Sequence, residues 1–179
     1  APLVDHEAIA RFRKRALTPD APISRGMAEN GDVFFQHREA CNPVYASVPD
    51  VVEEYMNKIS EITGRKYGLF NYYGAPDADR VIIAMGSVCQ AAEEAIDYLV
   101  EKGEKVGLVA VHLFRPFSVK HFMAAVPATA KRIAVLDRTK EPGANGEPLL
   151  LDVKECFYGN PDAPMIVGGR FGLASKDTT

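Results

Sequence analysis

What this sequence has little of narrows its chemistry first. Cysteine occurs three times, as Cys41, Cys89 and Cys156, widely spaced and with no C-x-x-C. An odd, scattered set excludes a disulfide framework, a zinc ribbon and a self-contained iron–sulfur cluster, and it fits a reducing, cytoplasmic compartment. The four histidines, His6, His37, His112 and His121, form no H-x-x-x-H or other spacing that metal binding favours. An excess of positive charge is missing too. Lysine plus arginine (21) against aspartate plus glutamate (24) gives a net charge of −3, which argues against a nucleic-acid binder relying on a whole-domain basic field. No apolar run approaches the ~20 residues that span a bilayer. Neither nucleic acid nor a membrane is therefore expected as a partner. The start, Ala1-Pro-Leu-Val-Asp-His6, lacks an initiator methionine and the order of a signal peptide, and the end, Ser175 to Thr179, is polar. Both ends suit a piece of a longer chain.

What is present is ordinary globular material. The 179 residues are 47% hydrophobic and 25% charged, enough to bury a core without a disulfide or metal staple. Residues 7–17 space Ile9, Phe12, Ala16 and Leu17 near a helical period, with Arg11, Arg13, Lys14 and Arg15 as a solvated face. Residues 18–32 hold two prolines and two glycines and read as an irregular connection. Val33-Phe-Phe-Gln36 reads as a short strand. From Asp50 to Thr63, steps of three and four through Val51, Val52, Tyr55, Met56, Ile59 and Ile62 predict an amphipathic helix, with Asp50 as N-cap and Gly64 as stop.

After Asn71 the texture changes. Buried-strand runs at Val81–Met85, Val106–Val111, Ile133–Leu136 and Pro164–Val167 alternate with helical patterns at 88–102, 118–126 and 148–158. This β-α-β-α-β-α-β order over 79–169 predicts an α/β fold, a mainly parallel sheet with helices on both faces joined by right-handed crossovers. Residues 1–64 lack that rhythm. They form a helical and irregular lead-in, with 65–179 as the α/β domain proper.

Ligands of open α/β sheets bind at the carboxyl ends of the strands. Gly86-Ser87 there could offer backbone N–H groups to an anion, although a tight turn plus N-cap explains the pair without any ligand and is the favoured reading. There is no G-x-G-x-x-G, no G-x-x-x-x-G-K-[ST] and no G-x-S-x-G, so dinucleotide, triphosphate and serine-nucleophile machinery is missing. His112 and Asp137 are conceivable as an acid–base pair, yet a histidine at a strand end is more often structural. Cys89, one step into an apolar helix, reads as an inert thiol. Two loops look built for contact with a ligand or another protein surface: Asp137–Pro148, with five charges, and Gly168–Lys176, with three glycines around Arg170 and Phe171. The candidate ligand or interface residues are thus Gly86, Ser87, Arg115, Arg138, Gly169 and Arg170. No catalytic residue and no metal ligand is assigned.

Longer runs carry a resemblance. Asn71-Tyr-Tyr-Gly-Ala-Pro-Asp-Ala-Asp-Arg-Val-Ile-Ile-Ala-Met-Gly-Ser-Val-Cys89, Gly103-Glu-Lys-Val-Gly-Leu-Val109, Leu113-Phe-Arg-Pro-Phe-Ser118, Ile133-Ala-Val-Leu-Asp-Arg-Thr-Lys-Glu-Pro-Gly143 and Gly169-Arg-Phe-Gly-Leu173 are similar to domain II of pyruvate:ferredoxin (flavodoxin) oxidoreductase. Upstream, Arg25-Gly-Met-Ala-Glu-Asn30, Val33–Gln36, Arg38-Glu-Ala40 and Asn42-Pro43 resemble the stretch leading into that domain. The resemblance implies a three-layer α/β/α domain like the transketolase C-terminal domain. It also implies a parent enzyme that is dimeric and uses thiamine diphosphate, magnesium and 4Fe–4S clusters. That parent takes coenzyme A as co-substrate and hands electrons to ferredoxin or flavodoxin. The family's motifs for those groups cannot be placed here, so no cofactor is expected in this fragment. Its expected partners are the other domains of the same polypeptide. An anion-binding module for coenzyme A and a stand-alone small α/β enzyme remain as alternatives.

Overall fold

A computed structural model describes residues 3–23, 26 and 28–177. Arg25 and Met27, in the matched run 25–30, and the outermost residues of both termini lie outside that set. The chain divides into two compact units, Ala1–Asn42 and Pro43–Thr179.

The first unit holds α1 (His6–Arg13) and α2 (Gly31–Ala40). Asp5 caps α1, its carboxylate accepting the Ala8 N–H at 2.9 Å, and acidic Glu7 begins a helix whose last turn carries Arg11 and Arg13, in keeping with the helix dipole. The expected helix stops at Arg13 rather than running to residue 17. Arg15 and Ala16 donate to Phe12 and Arg13 carbonyls, which closes the turn. The expected strand at Val33–Gln36 is instead the middle of α2. Val33 and Phe34 N–H groups donate to the Asn30 carbonyl, and acidic Asp32 and basic Arg38 sit at the helix ends their charges favour. An apolar triplet without a partner strand cannot pair its backbone, so local helix bonds win.

Helix α3 spans Asn42–Thr63, all but its first residue in the second unit, and carries Pro49 inside it. The expected start at Asp50 is therefore displaced by two turns. Pro43 in the first turn costs no hydrogen bond, and Pro49 is the buried residue of the helix, so packing offsets its missing donor. Asp50, freed from capping, faces Lys120 at 3.7 Å and His121 at 3.6 Å.

The sheet has the order β1-β3-β2-β4-β5. Strands β2 (Arg80–Ala84), β3 (Val106–Val111), β4 (Arg132–Asp137) and β5 (Met165–Arg170) are parallel. Edge strand β1 (Phe70–Gly74) runs antiparallel to β3, with Tyr72 opposite Val109. Helices α4 (Val88–Glu101), α5 (Val119–Ala125) and α6 (Pro148–Cys156) connect the parallel strands. The step from β2 to β3 goes one way across the sheet, and the steps to β4 and β5 go the other. Right-handed crossovers therefore put α4 on one face and α5 with α6 on the opposite face.

Two cores record that split. Ile83, Val109, Ile133 and Val135 pack with Phe122, Leu149 and Val153 on the α5–α6 face, joined by Val52 and Met56 of α3. Phe122, fully buried, stacks edge-on or tilted against Phe70, Phe117 and Phe157 at 5.4–6.3 Å within one aromatic group. Ala84, Val88, Cys89, Ile96, Leu108 and Ala110 make the smaller α4-side core. Gly74 (φ +123°) closes the β1 edge. A Cβ there would lie 2.6 Å from the Val106 carbonyl, which only glycine allows.

Candidate functional site

The carboxyl ends of β4 and β5, where the sequence places several of its candidates, are occupied by the protein itself. Asp137 ends β4 with its side chain turned inward, 3% exposed. Its two carboxylate oxygens accept the N–H groups of Leu149 at 3.0 Å and Leu150 at 3.2 Å, the free donors at the start of α6. Pro148 opens that helix, so no donor is wasted at its first position. Glu147, also 3% exposed, accepts the Glu141 N–H at 2.7 Å on one oxygen and Arg170 Nε–H on the other. One loop is thereby tied to itself and to β5.

Charge follows from these contacts. Burial pushes the Asp137 carboxyl above the usual aspartate range; the two N–H groups pull it back, and Glu147 and Asp152 add to the rise. Arg170 holds Glu147 below the usual glutamate range against the burial that opposes it. The cavity at this corner is about 170 Å³, lined by Asp137, Asn145, Glu147, Leu150, Gly169 and Arg170 among others.

Of the expected candidates, Gly169 and Arg170 line this corner, and Arg138 follows Asp137 with its side chain turned to the segment after β5. Arg138 donates to the carbonyls of Gly172 (2.9 Å) and Lys176 (3.3 Å), pinning the end of the chain. Gly169 lets the Leu136 side chain lie close, since a Cβ would sit 2.8 Å from its methyl. Gly86 and Ser87 stand apart, between β2 and α4. Gly86 has φ +84°, and its carbonyl accepts the Cys89 N–H at 3.1 Å, a turn closed without a ligand. The Ser87 hydroxyl makes no capping bond. Arg115 lies elsewhere again: it pairs with Asp152 of α6 at 2.6 Å and stacks 3.9 Å over its neighbour Phe114. His112 does not meet Asp137; its Nδ1 bonds the Gly68 carbonyl at 2.8 Å. Glu147 is the group that residue-by-residue reading passed over. The signal was its position, immediately before Pro148 at a helix start.

The groups that the resemblance implies do not fit these residues. Cys89 packs on the α4 side and Cys156 on the α5–α6 side of the sheet, while Cys41 Sγ donates to the His37 carbonyl in the first unit. Burial pushes the Cys156 thiol up to about 11, so it is a poor thiolate ligand at neutral pH. Among the described residues no three of His, Cys, Asp and Glu gather as a metal would need. The Glu147 oxygens and those of Asp137 are taken by N–H donors, and Arg138 and Arg170 are taken by carbonyls and a carboxylate. A cation or a diphosphate would have to break those bonds first. No helix among the described residues is long and apolar enough to cross a membrane.

Fold and corner together define a three-layer α/β/α domain whose β4–β5 corner is closed by its own loops. The family model "Pyruvate:ferredoxin oxidoreductase core domain II" matches residues 78–175, and the chain belongs to that family. It is 61% identical over 177 residues to a pyruvate-flavodoxin oxidoreductase of Klebsiella pneumoniae, covering 99% of this chain and 15% of that protein. It is 56% identical to the pyruvate:ferredoxin oxidoreductase of Moorella thermoacetica, with the same coverage. The chain thus spans about 15% of the length of the curated relatives it matches. A solved 2-oxoglutarate:ferredoxin oxidoreductase from Magnetococcus marinus aligns with 64% of this chain and 18% of its own, at 24% identity and a TM-score of 0.42.

Proposed function

We propose that this chain is a structural, dimer-supporting domain of an enzyme that oxidises pyruvate. That enzyme uses coenzyme A and ferredoxin or flavodoxin to give acetyl-CoA, carbon dioxide and reduced carrier, in the cytoplasm. Its thiamine diphosphate, magnesium and 4Fe–4S clusters are held by other domains of the same polypeptide. Residues 1–64 act as the connector and 65–179 as the domain. The observation that carries this reading is identity of 56–61% over nearly the whole chain to enzymes so named. The closed corner supports the non-catalytic role, because Arg138, Arg170 and Glu147 spend their polar groups on the fold.

The test uses the full-length enzyme, assayed by pyruvate- and coenzyme-A-dependent reduction of a viologen dye. Arg138→Glu and Arg170→Glu are expected to lower the thermal midpoint while leaving the KM for coenzyme A within about twofold. A tenfold rise in that KM at unchanged stability would favour the coenzyme A module instead. Absence of pyruvate-dependent turnover in the unmodified enzyme would overturn the reading altogether.

A further inference from the structure

The two faces of the sheet are not equally covered. On β4, Ile133 and Val135 point to the α5–α6 side and are 1% and 0% exposed. The alternate residues Ala134 and Leu136 face the α4 side and are only half-buried. On β5 the same face presents Met165, 66% exposed, and Val167, 52% exposed. These residues have the character of a strand meant to be buried on both sides. Helix α4, the single crossover on its side, lies over β3, reaches β1 and part of β2, and leaves β4 and β5 uncovered. Beside it runs a groove of about 330 Å³, floored by Ile82, Ala134, Met165 and Val167 and walled by Ala95 and Leu99 of α4. At the other end of this face Phe171 packs onto the α4-side core, so the upper part is covered and the lower part is bare.

We infer that this groove seats one α-helix lying beside α4. The helix comes from the part of the same polypeptide that the relatives possess outside the matched segment. The uncovered width is that of β4 and β5, two strands at ~4.8 Å spacing, which matches the ~10 Å of a single helix. The right-handed rule leaves no crossover of this chain to fill it. The relatives extend well beyond the stretch matched here, which is 15% of their length, so chain to fill it exists. The small side chains Ala92, Ala95 and Ala134 line the seat and let a helix approach closely. Arg132 lines the lower rim and makes no ion pair among the described residues. The occupant is therefore apolar along one stripe, with a carboxylate near the end that meets Arg132.

The inference rests on the reading of the chain as one domain of a longer enzyme, and the two are tested apart. In the full-length enzyme, a photo-crosslinking phenylalanine analogue replaces Met165 or Val167 in turn, and crosslinked peptides are mapped by mass spectrometry. A mixture of isotopically heavy and light subunits separates crosslinks within one polypeptide from those between copies. The expected result is capture, from both positions, of one segment outside residues 1–179 of the same polypeptide, at residues spaced by three or four. Capture of the same face of a second copy, capture of residues 1–64, capture at alternate residues of a strand, or no capture would each overturn it. Pyruvate-dependent dye reduction by the same preparations reports on the parent reading alone: an active enzyme with no capture defeats the docking helix and leaves the parent activity standing.

Discussion

Replacing Asp137 by alanine tests whether the carboxyl edge is held by one buried acid. Its two oxygens accept the Leu149 and Leu150 N–H groups at 3.0 and 3.2 Å. Leu149 is 0% exposed and Leu150 is 7% exposed, so neither donor finds water easily once the acid is gone. Hydrogen bonds to a charged acceptor are worth about 1.5–3 kcal/mol each, but the variant also escapes the burial cost of the carboxylate. The net loss should be about 2–4 kcal/mol, above an ordinary helix cap at about 1 kcal/mol. For a chain of this size that lowers the thermal midpoint by about 5–15 °C. Asp137→Asn keeps one acceptor and turns an amide N–H toward the second donor, so it should retain about half the stabilisation. Urea unfolding followed by circular dichroism gives the loss, and amide exchange at Leu149 and Leu150 shows whether the start of α6 frays. A loss below about 0.5 kcal/mol for Asp137→Ala, with exchange at those two amides unchanged, would refute the capping role.

Two further outcomes are expected. Phe122→Ala removes a fully buried ring from the group with Phe70, Phe117 and Phe157, which should cost about 3–5 kcal/mol in urea titrations; a cost under 1 kcal/mol would mean the core collapses around the gap. Glu147 is held below its ordinary value of 4.5 by Arg170, so its stabilisation is present above that value and fades as pH falls through the lower folded one. The stability gap between the native chain and Glu147→Gln should accordingly be full at pH 7 and shrink below about pH 4. Asp137, with its carboxyl raised, works in the opposite direction; burial, the largest cause of that rise, is common to both chains, and only the smaller part owed to Glu147 differs between them. A gap that stays constant from pH 7 to 3 would remove the ion pair as its cause.

The α/β order was legible because strands buried on both faces leave continuous apolar runs, as Val81–Ala84 and Val106–Val111 do. Strand β1 escaped notice: Phe70-Asn-Tyr-Tyr-Gly74 mixes polar and aromatic residues, and it pairs antiparallel at the edge, where alternation is weak. The start of α3 was hidden by Pro49, whose cost is met by burial that no local pattern reveals. Val33–Gln36 misled in the opposite sense, since apolar triplets fit either element and Asn30 decides in favour of the helix. At the candidate site, the arginines were visible as residue types. Their partners were not, because Arg138 reaches carbonyls 34 and 38 residues away and Arg170 a carboxylate 23 residues away.

Those partners lie where an ordinary α/β sheet would offer polar groups to a ligand. In open sheets the crevice lies where neighbouring strands send their helices to opposite faces, here between β2, which feeds α4, and β4, which feeds α6. Phe171 follows β5, its N–H bonded to the Asp137 carbonyl at 3.2 Å, and packs on the α4-side core. The loop after β4 brings its own anion, Glu147, and β5 its own cation, Arg170. The crevice thus holds an aromatic side chain, and the corner next to it an ion pair, each supplied by the chain. Burying Glu147 and Asp137 costs free energy that a plain solvated loop would avoid. What that cost secures is a loop fixed at four points, Glu141, Leu149, Leu150 and Arg170. A loop so held presents one shape to whatever packs against it, which is what the proposed structural role requires.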